Sequence, residues 1–548
     1  MKSLKTINVY LVKYKWRLLM GALFVVLSTI FSIYQGVVVR DATNEIYNVV
    51  SHKTQFNTLV FVKHGLLMFI CALVSGFFMF LMRQTIIVMS RHIEFDQKNE
   101  LYTHYQVLDT TFYKNNSTGD LMNRISEDVG KVRMYTGPAI MYLINTFSTV
   151  VIVLSFMLKV NWQLTLLVFA PLPFLSFVIY KVSDLINKRS TVVQQELSKL
   201  TSHAQETFSA IRVIKAYARE KHYINELATL NNDFKKHNLR LAIVEAVFQP
   251  VMVLMIGISV IVTVWYGGHL VINKTIEPGN ITEFILYVYK LTWPFASLGW
   301  VTSLIQRASA SQTRINEFLK TKPSIENTPE VKQKIEGEIE FKNVGFVYED
   351  SKIEALKNLN LKIEKGKTIG IKGQIGAGKS TLANLVTRLY DTTSGEILID
   401  KQSIKKYDLF ELRKSIGYVP QEVFLFSDTI RNNIAFSTGR DYTETEIVQA
   451  AKDAGVYDNI MAFPDGFDTV VGERGITLSG GQKQRISIAR AIISKPQILI
   501  FDDCLSAVDV ETEELILNNL KSIMKDKTSI IISHRDSALR YADKVVEL

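Results

Sequence analysis

The run Gly373-Gln374-Ile375-Gly376-Ala377-Gly378-Lys379-Ser380-Thr381 gathers three glycines, a lysine and two hydroxyls into nine residues. Glycines let backbone N–H groups wrap an anion at a helix N-terminus. The pattern GxxxxGK[ST] predicts a loop that cradles nucleotide phosphates, with Lys379 reaching the β- and γ-phosphates and the Ser380 hydroxyl on Mg²⁺. Gly373, Gln374, Gly376, Ala377, Gly378 and Thr381 complete the expected contacts. Leu478-Ser479-Gly480-Gly481-Gln482 sets two adjacent glycines before a helical run and reads as a second anion cradle. One nucleotide seldom needs two cradles, so this one is expected to close on ATP held by another domain, head to tail. The apolar run Ile498-Leu499-Ile500-Phe501 ends in Asp502-Asp503, as a buried strand delivering two acids would.

Positioning such groups requires a particular set of elements. The residues Thr368 to Lys372 read as a strand leading into the phosphate loop, with a helix from Thr381 to Tyr390 leaving it. A second helix is expected from Gln482 to Ser494. From Gly337 onward β-rich and helical runs alternate, as in an α/β domain. Before it, Thr321 to Lys334 is a polar connector containing Pro323 and Pro329. We therefore expect domains at 1–318 and 337–548, joined by a linker over 319–336.

The first of these is of a different character. Apolar stretches cover roughly residues 18–39, 61–82, 134–158, 160–180, 246–273 and 281–305. Each is about long enough to cross a ~30 Å hydrocarbon layer as a helix. Residues 83–133 and 181–245 form long polar loops of helical pattern, in which Phe208, Ile211, Ile214 and Tyr217 recur at helical spacing. Lys2, Lys5, Lys13, Lys15 and Arg17, with no acid among them, predict a cytoplasmic N-terminus rather than a cleavable signal. Both long loops then lie on the cytoplasmic side. Lys290, inside the sixth stretch, either lines a pathway or faces water or a neighbouring helix.

At 548 residues the chain needs more than one core. Its 47% hydrophobic content, positive mean hydropathy and net charge of +10 fit a membrane protein with basic cytoplasmic loops, and nucleic acid is not an expected partner. Cys71 and Cys504 are the only cysteines, so no disulfide framework or cysteine-based zinc site is expected, and Cys71 reads as buried.

These motifs, in this order, resemble the ATP-binding cassette (ABC) transporters over the segment from Phe341 nearly to the C-terminus. The resemblance implies further roles. Tyr348, in FKNVGFVYED, would stack on adenine. Gln421 would sense Mg²⁺ and the attacking water, and Asp502 would hold Mg²⁺ together with Ser380. His534, in IISHRD, would contact the γ-phosphate. Ser506 to Asp509 looks like the D-loop, and Val471 to Gly475 like the exporter loop that touches cytoplasmic helices. In the first half, Thr118 to Ile125 and Ala210 to Ala216 match sequences around the family's two coupling helices. The implied architecture is an all-α six-helix transmembrane domain followed by an α/β P-loop ATP-binding cassette, in the branch that exports. The absence of a peptidase-like segment before the first span argues against a leader-cleaving peptide exporter.

Two departures stand out. In the family the residue after the Mg²⁺-holding strand acid, matched here by Asp502, is normally a glutamate; in this sequence it is Asp503. A carboxylate about one C–C bond shorter reaches the attacking water poorly, so slow hydrolysis with intact ATP binding is expected. The sequence also stops at Leu548, where relatives usually continue.

The expected protein is thus one half of a dimeric exporter in a cell membrane, most simply a bacterial inner membrane. Its N-terminus and ATP-binding domain would be cytoplasmic, and its partner a different half-transporter bearing the glutamate. ATP and Mg²⁺ are the expected cofactors, and a drug, lipid or hydrophobic peptide the cargo. A homodimeric exporter or lipid flippase, an importer of similar fold, and a regulatory membrane protein gated by ATP are the alternatives. Lys379→Ala is expected to weaken binding of labelled ATP at this chain's own site because the phosphates lose their main cation. Tyr348→Ala should weaken it less, and unchanged affinity in the lysine variant would refute the assignment.

Overall fold

The computed structural model describes residues 2–53, 55, 57–437, 439–472, 478–504 and 510–548. They fall into two compact units. One comprises Met1–Gln106 with Gly119–Thr321, the other Val107–Thr118 with Lys322–Leu548.

The second unit holds nine described strands. These are β1 Ile339–Val347, β2 Glu354–Ile363, β3 Thr368–Lys372, β4 Ser394–Ile399, β5 Gln402–Ser403, β6 Ile416–Val419, β7 Ile498–Asp502, β8 Thr528–Ile532 and β9 Lys544–Glu547. A five-stranded parallel sheet runs β6-β7-β8-β3-β9, and an antiparallel sheet runs β2-β1-β4-β5. Every residue of β7 and β8 is buried. That explains their nearly unbroken apolar runs, since a central parallel strand is covered on both faces. One apolar core includes Phe341, Ile371, Leu382 and Ile500 and joins both sheets; the other surrounds Ile486, Leu499 and Phe501.

Helix boundaries moved slightly from expectation. The helix after the phosphate loop spans Lys379–Val386 and stops there because Thr387 caps it and Arg388 turns left-handed (φ 49°). The second expected helix begins two residues early, at Gly480, and ends at Ile492.

The first unit is helical throughout. Its apolar stretches lie on Lys15–Val50, Thr58–Met82, Ile140–Val160, Trp162–Phe169 followed by Pro171–Ser209, Glu220–Ile272 and Pro278–Lys320. Among the described residues four helical runs are long and apolar enough to cross a membrane: Lys15–Val50, Thr58–Val107, Thr118–Val160 and Glu220–Ile272. Of the remaining two stretches, one is divided where Pro171 opens a new helix, and the other carries Glu283 and Lys290. The 53-residue helix Glu220–Ile272 is about 80 Å long at ~1.5 Å per residue, far more than the bilayer requires.

The helical spacing from Phe208 to Tyr217 does not mark one continuous helix. Ala210 ends the helix Pro171–Ser209, Ile211–Ala216 forms a separate short one, and Ala218 turns left-handed (φ 52°) before the next begins. Ile214 alone of the four spaced residues is buried.

Cys71 is buried as expected. Lys290 is half-buried and donates to the Ser32 hydroxyl at 2.6 Å, so it turns toward helix Lys15–Val50 of its own unit. Near the start of helix Pro278–Lys320, Glu283 is wholly buried and accepts from the Tyr287 hydroxyl (2.8 Å) and Asn280 Nδ2 (3.2 Å). Arg40, from helix Lys15–Val50, lies 3.5 Å from Oε2, the same oxygen that accepts from Asn280. Removing one partner of such a cluster strands the rest. Glu283→Ala should therefore destabilise the detergent-solubilised protein by about 2–4 kcal/mol. Glu283→Gln keeps the Tyr287 and Asn280 contacts and should cost less; equal melting temperatures for wild type and alanine variant would show the cluster to be inert.

Candidate ATP site

In a parallel sheet all strands end at the same edge, and ligands collect there. Beyond that edge lie residues 373–378 after β3, Gln421 after β6, Asp503 after β7 and His534 after β8. Sheet order alone thus brings four separate sequence segments to one place.

The phosphate loop has the path its glycines predict. Gly376 and Gly378 have φ of +87° and +88°, and a Cβ on Gly378 would collide with the Ala355 carbonyl oxygen. At Gly376 the space is open. Lys379 is buried, and its ammonium donates to the carbonyls of Gly373 and Gln374, each at 2.8 Å. Those contacts hold the cation inside the loop, where phosphate oxygens can replace the carbonyls.

Asp502 closes β7 at 2% exposure. Burial pushes its carboxyl above the usual range, while a hydrogen bond from Ser380 and the charge of Lys379 pull it down. Asp503 sits just past the strand with φ of +44°, its N–H donating to the Ile532 carbonyl at 2.9 Å. Burial raises its carboxyl too, against His534, Arg535 and Lys379. Lys379, Ser380, Asp502, Asp503 and His534 therefore share one electrostatic neighbourhood. Among the described residues no cluster of three or more His, Cys, Asp or Glu forms a metal site. The pair Ser380–Asp502 nonetheless offers a hydroxyl and a carboxylate whose charge is costly to bury. That donor set suits Mg²⁺, which takes one or two protein oxygens and completes its shell from phosphates and water.

Tyr348 joins this group through Thr381: the two hydroxyl oxygens are 2.9 Å apart. Its ring stands edge-to-face with Phe346 (4.8 Å) and Tyr390 (5.7 Å). Gln421 and His534 are exposed. Ser479 caps helix Gly480–Ile492: its hydroxyl accepts from the Gln482 N–H (3.2 Å), and its own N–H donates to Gln482 Oε1 (2.9 Å). Ser479 and Gly480 are exposed, and no hydrogen bond described here joins residues 479–482 to the phosphate loop. The second cradle thus faces outward, as a surface meant for another domain would. The expected D-loop, Ser506 to Asp509, and Glu473 to Gly475 of the expected exporter loop lie outside the described residues.

Residues 18–295 match the ABC transporter transmembrane region, and residues 356–506 match the ABC transporter family itself. The chain belongs to the ABC exporters, as a half-transporter. It is 34% identical to the multidrug resistance-like ATP-binding protein MdlA of Escherichia coli over 97% of this chain and 90% of that protein. It is 35% identical to the ATP-dependent lipid A-core flippase of Syntrophus aciditrophicus, over 84% of this chain and 76% of the flippase. Similarity to the probable multidrug resistance transporter YheI of Bacillus subtilis is also 35%, covering 82% and 77%. The chain is accordingly a multi-pass membrane protein and an ATPase coupled to transport.

This ABC half-transporter also uses residues that motif reading passes over. Arg490, in the helix behind the second cradle, donates to the carbonyls of Phe424 (2.9 Å) and Asn433 (2.7 Å) and to Asn433 Oδ1 (2.9 Å). Burial lowers its guanidinium to about 10. It ties that helix to the segment following Gln421. The signal was legible: an arginine amid Ile486, Ile488, Ala489, Ala491 and Ile492, all buried, needs internal acceptors. Glu513, buried at 1%, holds Arg535 and the Ser537 hydroxyl beside His534.

The two loop glycines should respond differently to a methyl group. Gly378→Ala meets both the strained φ and the Ala355 carbonyl, and should abolish measurable ATP binding while lowering the melting temperature. Gly376→Ala meets only the strained φ, costing about 1–2 kcal/mol, and should retain weakened binding. Labelled-ATP binding and thermal melts on both variants check the contrast.

Proposed function

We propose that this chain is one subunit of a two-chain exporter with unequal ATP sites, moving a hydrophobic or amphipathic cargo out of the cell. In this reading Lys379 and the loop amides bind the phosphates, Thr381 lies beside them and Tyr348 stacks on adenine. Ser380 and Asp502 hold Mg²⁺, which neutralises phosphate charge when bound. Gln421 and His534 orient the attacking water and the γ-phosphate. Ser479, Gly480, Gly481 and Gln482 cap the ATP held by the partner. Closure of the paired domains on ATP drives the outward opening, and hydrolysis resets it.

The observation that carries the unequal pairing is Asp503. It occupies the position of the general base, immediately after a carboxylate aimed at Mg²⁺, with a side chain one methylene short. A base must be within hydrogen-bond contact of the water it activates. A shortfall of ~1 Å therefore slows hydrolysis at this site far more than it weakens binding. The second cradle, by contrast, keeps its full sequence and its capping box. An intact cradle beside a poor base makes sense if the partner supplies a better base for the site this cradle completes. Cargo of mixed polarity is supported by the relatives, one named as a lipid A-core flippase and others for multidrug resistance.

The test separates the half-sites. In the two-chain complex Asp503→Asn should leave most of the ATPase activity. Disrupting Ser479, or replacing the partner's glutamate, should remove most of it. Full-rate ATP turnover and transport by this chain purified alone would overturn the pairing. In that homodimer, Asp503 is the base at both sites, and Asp503→Asn would silence it.

A further inference from the structure

The short helix Thr110–Asn115 belongs to the ATP-binding unit although its sequence lies within the membrane half. Asp109 explains how it is held. One carboxylate oxygen caps the helix, accepting from the N–H groups of Thr111 (2.9 Å) and Phe112 (3.3 Å). The other accepts from the Ser324 N–H and, at 2.6 Å, from its hydroxyl. Burial would raise this carboxyl, but the Ser324, Phe112 and Thr111 donors outweigh it and hold it below the usual range.

So anchored, the helix aims Lys114 at the nucleotide site. The ammonium lies 2.8 Å from Asp350 Oδ2 and 4.3 Å from the centre of the Tyr348 ring. At its far edge the same ring reaches Thr381 in the first turn of the phosphate-loop helix. A cleft of about 410 Å³ opens on the ammonium's side, lined among others by Thr111, Lys114, Tyr348, Asp350 and Tyr390. None of residues 373–381 borders it. The lysine thus lies over the face of the ring, while the ring's hydroxyl reaches the phosphate-loop helix.

We propose that Lys114 is a positioning residue for the nucleobase, backing the Tyr348 ring so that the short helix and the base are read through the same aromatic. The proposal rests on the reading of Tyr348 as the adenine-stacking residue. A cation over one face draws electron density from the ring, which favours stacking of an electron-rich purine on the other. It also fixes the ring's orientation before the base arrives. Because coupling between two sites is reciprocal, base binding in turn tightens the hold on helix Thr110–Asn115.

The test measures binding of ATP and of inorganic tripolyphosphate, which has no base, to the intact transporter. This chain's own site is identified by its loss in Lys379→Ala. Lys114→Met keeps the side chain's bulk and should weaken ATP about 3-fold, the range of an exposed cation–ring contact, while leaving tripolyphosphate unchanged. Lys114→Arg should restore ATP affinity. In a Tyr348→Ala background the Lys114 substitution should have no further effect. Unchanged ATP affinity in Lys114→Met, or equal loss for both ligands, overturns the proposal. Tighter ATP binding also overturns it, because the ammonium would then occupy the face the base needs. If Tyr348→Ala itself leaves the ratio of ATP to tripolyphosphate affinity at its wild-type value, the stacking assignment fails, and this proposal fails with it.

Discussion

Two carboxylates at the end of a strand covered on both faces set the terms for the ATP-binding unit. Burying a carboxylate costs several kcal/mol unless partners compensate. Asp502 and Asp503 find them in Ser380, Lys379, Arg535 and His534, which arrive from beyond the ends of two other strands, β3 and β8. The phosphate loop and the strand acids therefore stabilise one another. Lys379 folds back onto the carbonyls of Gly373 and Gln374, and Ser380 is bonded to Asp502, so the loop and the strand end are tied by both a cation and a hydroxyl.

The same edge of the sheet explains why so much of this site was legible. GxxxxGK[ST], the signature residues and the paired aspartates each follow or precede an apolar run whose burial is unambiguous. The expected strand Thr368 to Lys372 is the observed β3. The antiparallel sheet β2-β1-β4-β5 was less visible, because β1 and β2 depart from regular alternation of buried and exposed residues where their register shifts, around Val344 and Phe346. Helix ends were off by two to four residues where a left-handed residue such as Arg388, rather than composition, stops the helix.

What sequence could not disclose were contacts across long separations. Lys114 stands 234 positions before Tyr348, and no local pattern joins them. The Asp109–Ser324 link is of the same kind. In the membrane half, apolar residues recur at helical spacing from Phe208 to Tyr217, yet backbone turns at Ala210 and Ala218 divide that part of the chain among three helices. Periodicity reports which residues could share a face; it is silent on backbone breaks made by residues as unremarkable as alanine.

The helix Glu220–Ile272 has a mechanical consequence. A rod about 80 Å long converts angle into distance. A tilt of about 5° at one end sweeps the other through roughly 7 Å, more than one helical turn. A small change of angle at one end of the helix thus becomes a displacement of several ångström at the other. The same gearing runs backward, so a long stroke at one end amounts to a small, forceful rotation at the other.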